Sequence, residues 1–356
     1  MNGRIIKGRI TTIRRLLSKK KFGCLIIVKP ANVSYVTGFS GDDSWAIIAP
    51  KTVYLVTDSR YTEQAAGECR NCEIIERKGP ITQATAKTIN GLKNVRTLGV
   101  ESSCSIAVFK ALQKKLKKRL RPAENIVEQV RIVKDDGEIA SIKKAADIAA
   151  KALKNILKDI KAGVSENELA GKLDLQIRLL GGKTGFETIV AFGPNASRPH
   201  HQPGDRILKT NDTVLIDFGA RYKGYCSDIT RCFSVGKPDV LYKRVYKAVK
   251  EAHDAAIKMV KAGVEIVKVD SAARGVIAKY DLPVYGHGTG HGLGLEIHEG
   301  PTLTKKIKGK LKAGMVFTIE PAVYMPGKLG VRIEDDVLVT KTACKILTSN
   351  CPKKNY

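Results

Sequence analysis

No stretch of this 356-residue chain approaches the ~20 consecutive apolar residues of a bilayer-spanning helix, and the longest run near the N-terminus is Cys24 to Val28. A membrane-spanning helix is therefore not expected. Residues 1 to 41 contain no Asp or Glu, but they hold no apolar signal core with a small-residue cleavage site either, so a cytoplasmic location is the expectation. Ile5, Ile6, Ile10, Ile13, Leu16 and Leu17 recur at helical spacing among Lys and Arg, which reads as an amphipathic first helix. Aromatic residues are scarce, with a single tryptophan, and they do not interleave with the basic runs to form a base-stacking surface. A specific nucleic-acid partner is accordingly not expected. The eight cysteines are scattered, and Cys69 and Cys72 form a CxxC with no second pair to complete a zinc site. Ordinary thiols are the simpler reading.

Basic residues, by contrast, are abundant. Lys plus Arg is 62 against 35 acids, a net charge of +27. The excess is +16 over residues 1–134 and +11 over 135–356, so no single tract carries it. The densest segment, Ser105 to Leu120, places Leu112, Leu116 and Leu120 at i, i+4, i+8 among lysines and predicts one solvated amphipathic helix.

The first part of the chain alternates β-rich runs, at Cys24–Val28, Trp45–Ala49, Thr52–Thr57 and Leu98–Val100, with helical stretches. A polar break at Val133 to Gly137 then precedes a long helical beat from Ile139 to Ile160, so the expected domains are 1–134 and 135–356. In the second domain Lys161-Ala162-Gly163-Val164 recurs as Lys261-Ala262-Gly263-Val264. Each copy follows a helical pattern and precedes β runs ending in an acid, Asp217 in one half and Glu320 in the other. The fold class expected is α+β: a small α/β N-terminal domain and a pseudo-twofold second domain whose site lies at the join.

Strands over 213–222 and 225–233, joined by Lys223-Gly224, place Asp228 opposite Gly219 and Asp217 on the same face. A second hairpin over 315–324 and 331–339, centred on Gly327, sets Glu320 opposite Glu334. Four carboxylates on inward faces are costly to bury unless cations neutralise them, and two divalent ions would do so. Three of the six histidines, His287, His291 and His298, fall within twelve residues between the hairpins. The segment fits neither GxGxxG nor HExxH, and its alternating glycines oppose a helix, so an extended strip delivering imidazoles to the acids is the better fit.

These strings, LIDFGARYKGYCSDITR, GHGTGHGLGLEIHEGP, FTIEPAVY and VRIEDD, resemble those of the pita-bread metallopeptidases, family M24. NVSYVTGFSGDDSW and TDSRYTEQA resemble the creatinase/prolidase N-terminal domain and point to the Xaa-Pro peptidase branch. The resemblance implies two divalent metal ions, manganese foremost and zinc, cobalt or iron otherwise, held by Asp217, Asp228, His291, Glu320 and Glu334. Asp228 and Glu334 would bridge the pair, with Asp217 on one ion and His291 with Glu320 on the other. It further implies Glu320 or Glu334 as proton shuttle, His200 and His298 at the substrate carbonyl, His287 as a third active-site histidine, and Arg332 supporting the acids by charge. A homodimer and a peptide substrate with proline in second place follow from the same resemblance. Archaeal-type prolidases carry Arg soon after HExP, where this chain has Thr302, which favours an Xaa-Pro aminopeptidase over a dipeptidase. A non-catalytic pita-bread binding protein is the alternative of a different class, and the intact ligand set argues against it.

Overall fold

In the computed structural model of the chain, residues 3–353 are described. The chain divides into two compact units, Met1–Arg131 and Ile132–Tyr356. No helix among the described residues is long and apolar enough to cross a membrane.

The N-terminal unit carries strands β1 (Cys24–Ile27), β2 (Trp45–Ile48), β3 (Val53–Thr57), β4 (Glu73–Glu76), β5 (Thr97–Glu101) and β6 (Arg119–Ala123). They form one sheet in the order β4-β3-β2-β1-β5-β6, in which only β2 runs against its neighbours. Helices α1 (Gly3–Lys19), α2 (Pro30–Thr37), α3 (Thr62–Glu68), α4 (Ile81–Asn90), α5 (Ile106–Lys115) and α6 (Glu128–Arg131) connect them. All four β1 residues are buried, as an apolar run in a sheet covered on both faces must be. The single helix expected over Ser105 to Leu120 ends early. Asn90 accepts from Lys117 N and donates to Lys115 O, closing α5 with a tertiary cap, and Leu120 lies in β6, paired with Leu98 of β5.

The C-terminal unit is built twice. Its first half holds α7 (Asp136–Ile156), α8 (Glu166–Leu179), β7 (Lys183–Thr184), β8 (Ile189–Phe192), β9 (Thr213–Phe218), β10 (Ala220–Tyr222), β11 (Tyr225–Cys226) and β12 (Ile229–Ser234). The second half holds α9 (Val240–Met259), α10 (Ile266–Lys279), β13 (Gly290–Gly292), β14 (Glu299–Leu303), β15 (Val316–Ile319), β16 (Ala322–Met325), β17 (Leu329–Arg332), β18 (Asp335–Val339) and β19 (Cys344–Ile346). Asp135 and Glu138 form a capping box that starts α7 at the polar break. The KAGV repeats are structurally equivalent. Gly163 N donates to Leu208 O and Leu208 N to Val164 O at 2.9 and 2.8 Å, and Gly263, Leu311 and Val264 repeat the pattern at the same distances. Both glycines take left-handed backbone, at φ 99° and 89°. Each helix pair packs on its own apolar cluster, with Leu153, Leu173 and Phe218 in one and Val249, Ala273 and Phe317 in the other.

The hairpin registers hold, but the strands are not continuous. Tyr222 faces Tyr225 and Asp217 faces Thr230 in one register, broken at Gly219 and Ser227-Asp228. Gly219 is required at this break because a Cβ there would lie 2.0 Å from Ser227 O. In the second hairpin Ala322 faces Arg332 and Ile319 faces Asp335, broken at Glu320-Pro321 and Ile333-Glu334. Proline 321 brings no N–H to the ladder. Three of the four acids thus fall where the ladders part, and their side chains are free to turn inward.

Candidate metal centre

A cavity of about 390 Å³ in the C-terminal unit is lined by Asp217, Asp228, His291, Glu320 and Glu334, and also by His200, His287, His298 and Arg332. The structure therefore gathers all nine sequence-derived candidates in one place. Donor atoms of Asp228, His291 and Glu334 lie within 4.8 Å of one another. His291 Nε2 is 3.5 Å from both Asp228 Oδ2 and Glu320 Oε1. Its Nδ1 donates to Gly292 O, which leaves the Nε2 lone pair facing the acids.

The electrostatics suit a cation. Burial, then repulsion from Glu334 and Asp217, holds Asp228 well above the usual carboxylate range. Burial and the neighbouring Glu320 and Asp217 do the same to Glu334. Burial pushes Glu320 up to about 7. Burial, helped by His298, lowers His291 to about 4, so the imidazole is neutral and able to coordinate at neutral pH. Asp217 Oδ1 and Asp228 Oδ1 are buried and accept no hydrogen bond, oxygens that a bound cation would satisfy. The donor set of one imidazole and four carboxylates fits hard to borderline divalent ions.

Arg332 is more tightly engaged than a remote supporting charge. Buried, it donates to Asp217 Oδ2 at 2.5 Å, Tyr324 Oη at 2.6 Å, Thr230 Oγ1 at 3.0 Å and Pro199 O at 3.3 Å. The cluster is thus not four unpaired acids: Asp217 has a guanidinium partner.

Several supporting residues carry no motif that sequence reasoning would single out. Thr230 donates to Glu334 Oε2 at 2.6 Å, and Thr318 receives His291 N and donates to Glu320 Oε1. Tyr324 Oη lies 3.3 Å from His287 Nε2. Asp336 accepts from Asp228 N, and Asp335 pairs with buried Arg231, whose Nη1 also donates to Glu334 O. The acidic run Glu334-Asp335-Asp336 was a legible hint of these roles; the threonines gave none. His201, an unremarkable residue in the sequence, pairs with buried Glu166 at 2.8 Å.

With this geometry established, the comparisons are specific. Residues 140–341 match metallopeptidase family M24, and residues 9–133 match the creatinase/prolidase N-terminal domain. The chain belongs to metallopeptidase family M24. This M24 chain is 35% identical to a Xaa-Pro dipeptidase of Pyrococcus horikoshii, over 97% of each chain. Its fold matches a Xaa-Pro dipeptidase from Bacillus anthracis with a TM-score of 0.95 at 35% identity, covering 98% of this chain and 99% of the other. An X-Pro aminopeptidase from Thermotoga maritima matches with a TM-score of 0.89 at 37% identity, covering 97% and 99%. M24 membership brings with it divalent metal ions, peptide hydrolysis and the pita-bread fold, with the creatinase-type domain in front.

Proposed function

We propose that this metallopeptidase is a proline-specific exopeptidase that cleaves the bond before a proline in second place, with Xaa-Pro dipeptides as its principal substrates. The observation that carries the reading is the single cavity in which five metal-capable side chains share walls with Phe186, Ile189 and Ile297, an apolar surface for a pyrrolidine ring. The dipeptidase relatives favour dipeptides over the longer substrates that Thr302 alone suggests.

In this reading Asp217, Asp228, His291, Glu320 and Glu334 hold two divalent ions, manganese foremost, with zinc, cobalt and iron as the other candidates. The ions supply Lewis acidity, lowering the pKa of water and polarising a carbonyl. Glu320, which lines the cavity beside Glu334, takes a proton and returns it to the proline nitrogen. His200 and His298 bind the substrate carbonyl, and His287 adds a third imidazole held by Tyr324. Arg332 fixes Asp217. Because an Xaa-Pro bond lacks an N–H and has a fixed φ, peptidases that require that donor leave it to such enzymes. Domains at 1–134 and 135–356, a homodimer and a cytoplasmic location belong to the same proposal, the last supported by eight free thiols.

A second reading, Xaa-Pro aminopeptidase, has one observation in its favour. Among the described residues the guanidinium lining the cavity is Arg332, already bound to Asp217, and Thr302 brings no charge for a C-terminal carboxylate. Matched Xaa-Pro dipeptides and tripeptides, assayed with added Mn, Zn, Co or Fe, separate the two. Preference for dipeptides supports the proposal, and selective tripeptide cleavage reverses it. Metal-independent hydrolysis, or full activity in His291→Ala, would overturn the metallopeptidase mechanism for both.

A further inference from the structure

The duplicated C-terminal unit permits an internal comparison. Thr184-Gly185-Phe186-Glu187-Thr188 in the first half corresponds to Tyr285-Gly286-His287-Gly288-Thr289 in the second, each following the second helix of its half and running directly into a strand, β8 or β13. Phe186 and His287, at matching positions, line the same cavity. Both halves anchor the closing threonine to a carboxylate on that helix. Thr188 Oγ1 donates to Asp174 of α8 at 2.6 Å, and Thr289 Oγ1 donates to Asp270 of α10 at 2.7 Å.

The halves differ in what holds the segment before that threonine. In the first, Thr184 pairs with Ala220 in the sheet and Gly185 N donates to Gly219 O at 2.8 Å. In the second, residues 285–289 belong to no strand, and carbonyls without a ladder need other donors. Arg274 supplies them. Its Nη1 donates to Tyr285 O at 2.8 Å and its Nη2 to His287 O at 2.5 Å, while Nε donates to Asp270 Oδ2 at 2.9 Å. The guanidinium also stacks 4.4 Å from the Tyr285 ring centre. Tyr285 Oη, Thr289 Oγ1 and Asp270 then form a hydroxyl relay, and Thr289 O accepts from Glu320 N. Asp270 is fully buried among Ile266, Val269 and Ala273, a position an acid occupies only when such partners compensate it.

We infer that Asp270 and Arg274 are positioning residues that replace the missing strand pairing of the second half and so fix where His287 is presented to substrate. For its catalytic consequence the inference rests on the proline-exopeptidase reading; for its structural part it does not. Lysine cannot reproduce a fork that holds two carbonyls and a carboxylate together.

The test uses the full chain, metal-free and zinc-loaded, with Arg274→Gln, Arg274→Lys and Asp270→Asn. Imidazole proton–carbon spectra, with His287 assigned through His287→Ala, should show the His287 signal displaced in all three variants while the signal of His201, held by Glu166 in the first half, stays in place. With an Xaa-Pro dipeptide, kcat/KM should fall about tenfold to a hundredfold in Arg274→Gln and not be rescued by lysine. Within a His287→Ala background the same substitution should cost little more. An unmoved His287 signal overturns the inference. So does an equal loss with and without His287. If no proline exopeptidase activity exists, the spectra still decide the structural claim, and if Arg274→Gln does not fold, Arg274→Lys carries the test.

Discussion

Three of the four acids at the centre are held by a neighbour that is not itself a candidate ligand: Asp217 by Arg332, Glu320 by Thr318 and Glu334 by Thr230. Thr230 Oγ1 gives its proton to Glu334 and receives Arg332, so one hydroxyl orients both an acid and the arginine. Thr230→Val should weaken manganese binding, measured by calorimetric titration, by about 10–100-fold, the usual cost of losing an outer-shell partner. Glu320 makes a pH prediction. Raised to about 7 in the fold from its ordinary value near 4.5, it keeps a proton that the unfolded chain releases, so its contribution to metal-free stability is complete below pH 4.5 and is lost as pH rises towards 7. His291 and His287, both lowered to about 4 by burial, act in the opposite sense below about 6.5. The measurement is therefore a difference: from pH 5 to 8 the Tm of the metal-free protein should fall more steeply in the native sequence than in Glu320→Gln. Equal slopes would refute the assignment.

At the scale of elements, the paired strands owe their function to their interruptions. Gly219 sits at one of them, and Gly219→Ala, whose new carbon would meet Ser227 O at 2.0 Å, should destabilise the unit by about 3 kcal/mol in urea unfolding. Gly171→Ala, mid-helix in α8 with nothing within 4 Å, should stabilise by about 0.5–1 kcal/mol and serves as the control. Hairpin register was legible in the sequence, because turn residues and period-two spacing determine it, and with it the pairing that brings the acids near one another. The breaks were less so: a glycine tolerated by any strand is indistinguishable there from one that a carbonyl on the opposite strand demands. The α5 ending was hidden for a similar reason. Leu112, Leu116 and Leu120 satisfy a helical period, and what ends the helix is Asn90, 25 residues away from the carbonyl it caps. Arg332 was visible as a charge near the acids but not as the four-way donor that it is.

Over the whole molecule the net charge is +27, yet the centre is a small cluster of four acids, and divalent ions should act as stability ligands as well as chemical ones. At a hundred times the dissociation constant, one bound ion adds about 2.7 kcal/mol to the folded state. Calorimetry should show manganese raising the melting transition of the native sequence and leaving that of His291→Ala nearly unchanged, and chelator should reverse the rise. The duplication described above gives that linkage a further meaning. Asp217 and Asp228 come from the first half, and His291, Glu320 and Glu334 from the second. In the proposed centre neither half owns a complete donor set, so an ion would contribute its binding energy only after both have folded and met. Metal would thereby add to a coupling that the apolar cluster of the second half already begins by taking in Ala191, Leu215 and Cys232 of the first, and its removal should be felt as a lower and broader unfolding transition.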